Sequence, residues 1–398
     1  MSTSTERRPA EALRRVLERP LASYQLVLGA SALLVGLGLV MVLSSSSVLA
    51  YRSGGNSYGI VIKQGLFAVL GLGGAYIALK MPLAVIKKLA TILLVAVLGL
   101  MLLTLVPGIG VEVGGNRNWL PLVGGFRLQP SEFAKLALII WISALYANRQ
   151  KALHGRRSTH AMLMPVLPVA GFVAGLVVLQ KDLGTALVLF AVIFGMLLAV
   201  GLPRKLVASG VALLGVALVL LVATAPHRMD RLMNFLDPMS DPDRTGYQAI
   251  HSMMALATGG FWGVGLGGSR QKWGALPNAH TDFILAVVGE ELGLFGTLIV
   301  LILFVVLVVT GVRIALRTKD QFAHYLAIGI TVWISVQAAI NIGMVLGLLP
   351  VIGITLPLMS YGGSSLLVTM TALGLLARCA LTEPGAERAL ASRQRKAR

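Results

Sequence analysis

The sequence predicts an all-α polytopic membrane protein: about ten transmembrane helices, both termini cytoplasmic, and a large extracytoplasmic loop between spans 7 and 8. Three observations carry this. Only 13% of the 398 residues are charged while 56% are hydrophobic, and the mean hydropathy is +0.83. Soluble domains carry about 25% charge, so too little polar surface exists to coat a water-soluble globule of this size, and a soluble enzyme is excluded. The apolar residues fall in runs long enough for a bilayer core about 30 Å thick. The 34 Lys and Arg, against 16 Asp and Glu, crowd alternate loops, as the positive-inside rule requires.

In chain order the spans are expected at about 24–49, 59–79, 86–107, 131–147, 161–179, 184–202, 205–225, 283–312, 322–348 and 363–382. The first follows Arg7, Arg8, Arg14, Arg15 and Arg19, as a secretory signal does. Its apolar run from Leu26 to Leu43 exceeds a signal's h-region, so it is read as retained. Lys80, Lys87 and Lys88, then Arg149, Lys151, Arg156 and Arg157, then Arg204 and Lys205, then Arg313, Arg317 and Lys319, mark the inward connections. Residues 1–23 form a cytoplasmic segment, 24–382 the membrane domain, and 383–398 a basic tail. Arg393, Arg395, Lys396 and Arg398 in that tail also suit anionic lipid. Two outer segments exceed connector length, about 108–130 and about 226–281. The second holds Phe235, Tyr247, Phe261, Trp262 and Trp273 among glycines, too apolar for disorder. It is expected to fold back and roof a cavity.

Several functions are excluded. Basic residues interleaved with apolar spans do not make a nucleic-acid face. Cys379 alone forms no disulfide framework or cysteine-based zinc site. No GxxxxGK[ST] sequence occurs, so no P-loop supplies energy.

Function is sought among the few charges near the outer span ends, because charges there are costly and mark function by default. Glu132 and Lys135, at i and i+3, share a helix face. They are either a structural ion pair or a cavity-facing cation held for an anionic substrate. Arg117, Trp119, Arg127 and Gln129 precede them, and guanidinium groups suit bidentate phosphate recognition. Asp182, beside Lys181, is placed to cap the sixth span. Asp282, where the long loop enters the eighth span, is either a cap or a partly desolvated carboxylate acting as a base. At about 100° per residue, Glu290 lies roughly 80° from Asp282 and is expected to line the same cavity. Glu291 lies about 180° away and is expected to pair with another helix. Lys63 belongs to the same outer set. Asp230, Asp237, Asp241 and Asp243 read as turn residues, and His227, His251 and His280 as loop polar contacts. The proline- and glycine-rich stretch from Leu349 to Ser365, with Ser360, Gly362 and Gly363, reads as a re-entrant wall. No fixed-period repeat is present.

Several stretches, in this order, resemble the SEDS (shape, elongation, division and sporulation) family of bacterial membrane proteins. They are Ser45-Ser46-Ser47, Gly115-Asn116-Arg117-Asn118-Trp119, Gln129-Pro130-Ser131-Glu132-Phe133-Ala134-Lys135, the Lys181-to-Thr185 segment, Ala279-His280-Thr281-Asp282-Phe283 with Gly289-Glu290-Glu291-Leu292-Gly293, and Ser360-Tyr361-Gly362-Gly363-Ser364-Ser365. Arg228-Met229-Asp230-Arg231-Leu232, Phe235-Leu236-Asp237-Pro238 and Gly353-Ile354-Thr355-Leu356-Pro357 favour its cell-division branch over the rod-elongation branch. Lys181 departs from the family, where many relatives have proline.

The resemblance implies a peptidoglycan glycosyltransferase in the bacterial cytoplasmic membrane, at the division septum. It would polymerise lipid II outside the membrane with a class B penicillin-binding protein and other division-complex membrane proteins. It further implies that Asp282 is essential. On this reading Asp282 deprotonates the acceptor 4-hydroxyl of N-acetylglucosamine, which attacks the undecaprenyl-pyrophosphate-linked glycan with inversion. Arg117, Glu132, Lys135, Lys181, Asp182, His280, Glu290, Ser360, Gly362 and Gly363 are the expected substrate and pyrophosphate contacts. The resemblance fixes no cofactor; a divalent cation, magnesium or manganese, is one candidate for the leaving pyrophosphate. Competing readings are a lipid II flippase or other transporter, the rod-elongation polymerase, and a scaffold that recruits division proteins.

Overall fold

The structure, a computed structural model, describes residues 19–54, 56–113, 115–122, 125–149, 159, 163–164, 166–223, 235–237, 239, 246–274 and 276–396. The sequence expectations for Arg7, Arg8, Arg14, Arg15, His227, the 228–232 stretch, Asp241, Asp243 and Arg398 lie outside these residues.

Ten helices fall on the ten expected spans: α1 (Ala22–Gly54), α2 (Gly59–Lys80), α3 (Leu83–Leu105), α4 (Pro130–Asn148), α5 (Val166–Leu179), α6 (Leu183–Val200), α7 (Arg204–Ala223), α9 (Ile284–Arg317), α10 (Gln321–Val345) and α11 (Gly363–Ala380). The helices α8 (Tyr247–Gly259) and α12 (Ala386–Lys396) lie outside the expected spans. Among the described residues eight helices are long and apolar enough to cross a membrane, while α5 has only 14 residues.

The segment expected at 108–130 is a small addition to the all-α class. Strands β1 (Val111–Val113), β2 (Asn116–Pro121) and β3 (Arg127–Leu128) form an antiparallel sheet in that order. Val111 pairs with Trp119 and Leu120 with Leu128, and Gly115, at φ +84°, supplies the left-handed turn between β1 and β2.

Small residues bring helices together where lipid offers no hydrophobic drive. A Cβ on Gly374 of α11 would stand 2.4 Å from the Ala75 carbonyl of α2, so these helices pack backbone to backbone. At one end of the bundle Leu21, Leu381 and Ala386 form a small apolar cluster. There Arg317 Nε also meets Glu383 Oε2 at 2.9 Å. The start of α1 and the end of α11 therefore share one end, as an even number of crossings requires.

The described part of the long loop folds back onto the bundle. Helix α9 breaks at Gly293 (φ +67°, ψ −164°), and the loop supplies the hydrogen bonds the break removes. Val264 N donates to Glu290 O at 2.9 Å and Gly265 N to Glu291 O at 3.1 Å, while Leu294 N donates to Gly260 O at 2.9 Å. Glycine is required here: a Cβ on Gly263 would lie 2.2 Å from Glu291 O, and one on Gly259 1.9 Å from Gly289 O.

Candidate functional site

The end of the bundle opposite the chain termini gathers the starts of α4, α6, α9 and α11. Gln129 N donates to Ser364 Oγ at 3.0 Å, Gln129 Nε2 to Asp182 Oδ2 at 3.0 Å, and Tyr361 N to His280 O at 2.9 Å. Helix N-termini carry unpaired N–H groups and partial positive charge, which favour anions.

Asp282 stands just before α9, after a turn in which Asn278 is left-handed (φ +57°) and Phe283 N donates to Asn278 O. The N-cap of α9 is Phe283, with no side-chain cap, so Asp282 does not tie off its own helix. Among the described residues its half-buried carboxylate has no hydrogen-bond or ion-pair partner. Its main chain is fixed, because Asn341 Nδ2 of α10 donates 2.7 Å bonds to both Asp282 O and Ile354 O. Its Oδ2 lies 3.7 Å from where a Cβ on Gly353 would project. Burial with no compensating partner pushes its pKa from 3.8 up to about 6. Burial moves the neighbouring His280 the other way, below 6.5, by disfavouring its charged form. Its ring lies 5.6 Å from that of Tyr361.

Glu132 and Lys135 of α4 are both buried, and Lys135 Nζ meets Glu132 Oε1 at 2.8 Å. Lys135 also donates to Gln337 Oε1 at 2.8 Å and sits 5.0 Å from the centroid of Trp333. Gln337 in turn accepts from Trp333 Nε1 at 2.7 Å and donates to Thr355 O at 3.1 Å. A lone buried ammonium is costly, and these partners offset that cost. Glu132 Oε2 has no hydrogen-bond partner among the described residues. The pair lines a cavity of about 50 Å³ bounded by Thr185 and Val188 of α6 and by Gly353. Ion pair and cavity lining, alternatives from spacing alone, are thus both present.

Asp182 is a structural hub. It caps α6 by accepting from Thr185 N at 3.1 Å, and its Oδ2 accepts from Asn118 Nδ2, Gln129 Nε2, Thr185 Oγ1 and Ser131 Oγ at 2.8, 3.0, 2.9 and 3.4 Å. Its lone pairs are taken by the protein. Lys181 is exposed and left-handed (φ +62°), a conformation closed to proline. Arg117 is half-buried and its N–H donates to Gln180 O at 3.2 Å; Arg127 and Lys63 are exposed.

Glu290 is not brought to the cavity beside Glu132. Its carboxylate accepts from Ser269 Oγ and, at 2.9 Å, from Arg270 N, because the long loop folds against that helix face. Glu291 pairs with another helix: Ser44 Oγ of α1 donates to it at 2.7 Å, and Lys272 Nζ from the loop lies 3.1 Å away. The two glutamates clamp the loop to α1 and α9.

Ser360 is buried, accepting from Leu356 N at 2.8 Å through Oγ and from Gln64 Nε2 at 3.1 Å through its carbonyl. Gly362 N donates to Gln64 Oε1 at 3.2 Å. A Cβ on Gly363 would lie 2.3 Å from the Phe67 ring, which would have to shift to admit it. Ser360 and Gly362 hold the wall through these hydrogen bonds and Gly363 through its packing on Phe67. His251 Nδ1 bonds Gln271 Oε1 at 2.7 Å, a loop polar contact.

Sequence reasoning passed over Gln64, Trp333, Gln337, Asn341, Ser44, Ser269 and Lys272. A signal existed for three: Trp333, Gln337 and Asn341 recur at i, i+4, i+8 on one face of an apolar span. No group of three or more His, Cys, Asp or Glu among the described residues is arranged to hold a metal ion.

A polytopic helical protein with an unpaired carboxylate where several helices start is the class that fold and site define. Residues 24–383 match the FtsW/RodA/SpoVE family, described as cell cycle protein, and the chain belongs to that family. It is 43% identical over 383 residues to the probable peptidoglycan glycosyltransferase FtsW of Mycobacterium tuberculosis, covering 96% of this chain and 72% of that one. It is 45% identical over 357 residues to the protein of the same name from Nitrosococcus halophilus, covering 88% and 90%. Among solved structures it resembles one titled as structural coordination of polymerization and crosslinking by a peptidoglycan synthase complex. The TM-score is 0.71 and the identity 30%, over 89% of this chain and 96% of that one. It also resembles the rod shape determining protein RodA of Thermus thermophilus, with a TM-score of 0.65, 29% identity, and coverage of 90% and 96%.

Proposed function

We propose that this chain is a septal peptidoglycan glycosyltransferase that polymerises lipid II on the outer face of the cytoplasmic membrane, beside a class B penicillin-binding protein. The observation that carries the reading is the Asp282 carboxylate: fixed in its main chain, without a partner for its oxygens among the described residues, and raised in pKa to about 6. A carboxylate used to cap a helix or neutralise a cation has its lone pairs engaged. This one is available to take a proton. In the proposed step Asp282 accepts the proton of the N-acetylglucosamine 4-hydroxyl as that oxygen bonds the anomeric carbon of the growing strand. The bond to the lipid pyrophosphate breaks on the opposite face with inversion, and its electron pair leaves with the pyrophosphate. The partial positive charge of the converging helix starts, with Arg117 and Lys181, stabilises the departing pyrophosphate. Lys135 is committed to Glu132 and Gln337, so its role is to hold the wall.

The test is polymerisation of lipid II by the purified protein with its penicillin-binding partner. General-base assistance is typically worth 10²–10⁴-fold, so Asp282→Asn should lose about 100-fold or more in rate while remaining folded. Strand synthesis by that variant at the wild-type rate would remove Asp282 from the chemistry.

A further inference from the structure

Helix α10 reaches both the base and the re-entrant wall with a single side chain. Asn341 is wholly buried, and its Nδ2 donates at 2.7 Å to Asp282 O and to Ile354 O. A primary amide nitrogen has two protons, so both are spent, on segments that lie before α9 and after α10 in the chain. Turning the amide over would set its oxygen against two carbonyl oxygens, which fixes its orientation. Its Oδ1 has no hydrogen-bond partner among the described residues. An unpaired buried acceptor is costly, and a side chain kept for packing alone would not carry one; leucine has nearly the same shape without it. One turn away on the same face, Gln337 Nε2 donates to Thr355 O at 3.1 Å. One helix thus holds two consecutive carbonyls of the wall together with the carbonyl of the base. The next residue of the wall, Gly353, is the one whose Cβ would project to 3.7 Å from Asp282 Oδ2. The strip of wall tied to Asn341 is therefore the strip that the carboxylate faces.

We infer that Asn341 is a positioning residue for the proposed proton transfer: its two amide protons hold the main chains of Asp282 and of the wall at one separation, and that separation sets where the carboxylate meets the acceptor hydroxyl. Asn341 acts through Asp282 and not on the sugar. Without the tether the two segments part, water enters between them, and the carboxylate leaves its place opposite Gly353. The inference rests on Asp282 as the base and adds what keeps that base in place. The ionisable groups around Asp282 are His280 on its own segment and Tyr361, whose ring lies 5.6 Å from that of His280. Glu132 and Lys135, lining the cavity that Gly353 also lines, are paired with each other. Helix α10 itself carries only His324 and Tyr325, near its other end. Replacing Asn341 adds and removes no charge among them.

The experiment measures kcat, KM and the pH profile of lipid II polymerisation for wild type, Asn341→Ala and Ile330→Ala, each rate referred to the folded fraction. Ile330 is buried about three turns along α10, and truncating it opens a cavity without touching either carbonyl. A base displaced by about 1 Å costs on the order of 100-fold in rate, so Asn341→Ala should lower kcat about 10- to 100-fold and leave KM within about threefold of wild type. Its pH inflection should also move from near 6 towards 3.8, because a carboxylate released to water loses the burial that raised it. Ile330→Ala should keep the wild-type inflection and kcat. Where the alanine variant fails to fold, Asn341→Ser, which keeps one donor, should show both changes in the same direction. A folded Asn341 variant with the wild-type kcat, or with a lowered kcat and an unmoved inflection, would reduce Asn341 to a structural residue and overturn the inference. Asp282→Asn at the wild-type rate would instead overturn the proposed function, so the two failures are distinct.

Discussion

Replacing Asp182 by alanine removes a carboxylate that receives bonds from five donors on three segments: Thr185 N and Oγ1, Asn118 Nδ2, Gln129 Nε2 and Ser131 Oγ. The hydroxyls can rotate to other acceptors; the Asn118 and Gln129 amides and the Thr185 N–H have nowhere else to turn. Losing an N-cap costs about 1 kcal/mol, and each buried donor left unpaired costs roughly 1–3 kcal/mol. The total is about 3–7 kcal/mol. At roughly 2 °C or less per kcal/mol for a chain of this size, the unfolding midpoint should fall on the order of 10 °C. Tryptophan fluorescence during heating of the detergent-purified protein reads this directly. Asp182→Asn should cost less than Ala, because its one remaining oxygen serves either Thr185 N or the Oδ2 cluster. A midpoint within about 1 °C of wild type for the alanine variant would refute the hub. Lost polymerisation with an unchanged midpoint would instead make Asp182 a substrate contact.

Two further outcomes follow from the geometry. Because burial raises the Asp282 pKa to about 6, its basic form disappears as pH falls through that value. The kcat/KM for lipid II should fall about tenfold between pH 7 and pH 5, with an inflection near 6. A folded pKa above the unfolded 3.8 means the native state is favoured when this group is protonated. That contribution is full below pH 3.8 and lost as pH rises through 6. Asp282→Asn should therefore raise stability at pH 8 by roughly 3 kcal/mol, with no gain near pH 4, as paired thermal scans would show. Gly263→Ala places a Cβ 2.2 Å from Glu291 O at a φ of +78°, so the loop must leave its seat on α9. Protease cleavage within 259–273 should appear in that variant and be absent from wild type.

The helix positions were legible because apolar run length is written directly in the sequence. The contact of Glu132 with Lys135 was legible because helix spacing alone brings i and i+3 together, as was the cap at Asp182. The partners of Lys135 were not, since neutral Gln337 and the ring of Trp333 carry no charge to single them out on an apolar helix. Glu290 shows where helical geometry stops being enough. Its angle from Asp282 fits a shared cavity, but a carboxylate goes to its nearest donors, and those arrive on a loop distant in sequence. The small sheet at Val111–Leu128 has strands too short for alternation to be distinguished from chance.

The interruption of α9 at Gly293 bears on how the molecule is assembled. In a bilayer, backbone carbonyls such as those of Glu290 and Glu291 must find donors within the protein, and here the donors are Val264 and Gly265. Those residues precede α9 in the chain and are synthesised before it. The segment that completes the helix is therefore already outside the ribosome when the helix enters the membrane, and translation order suits the stitch it has to make.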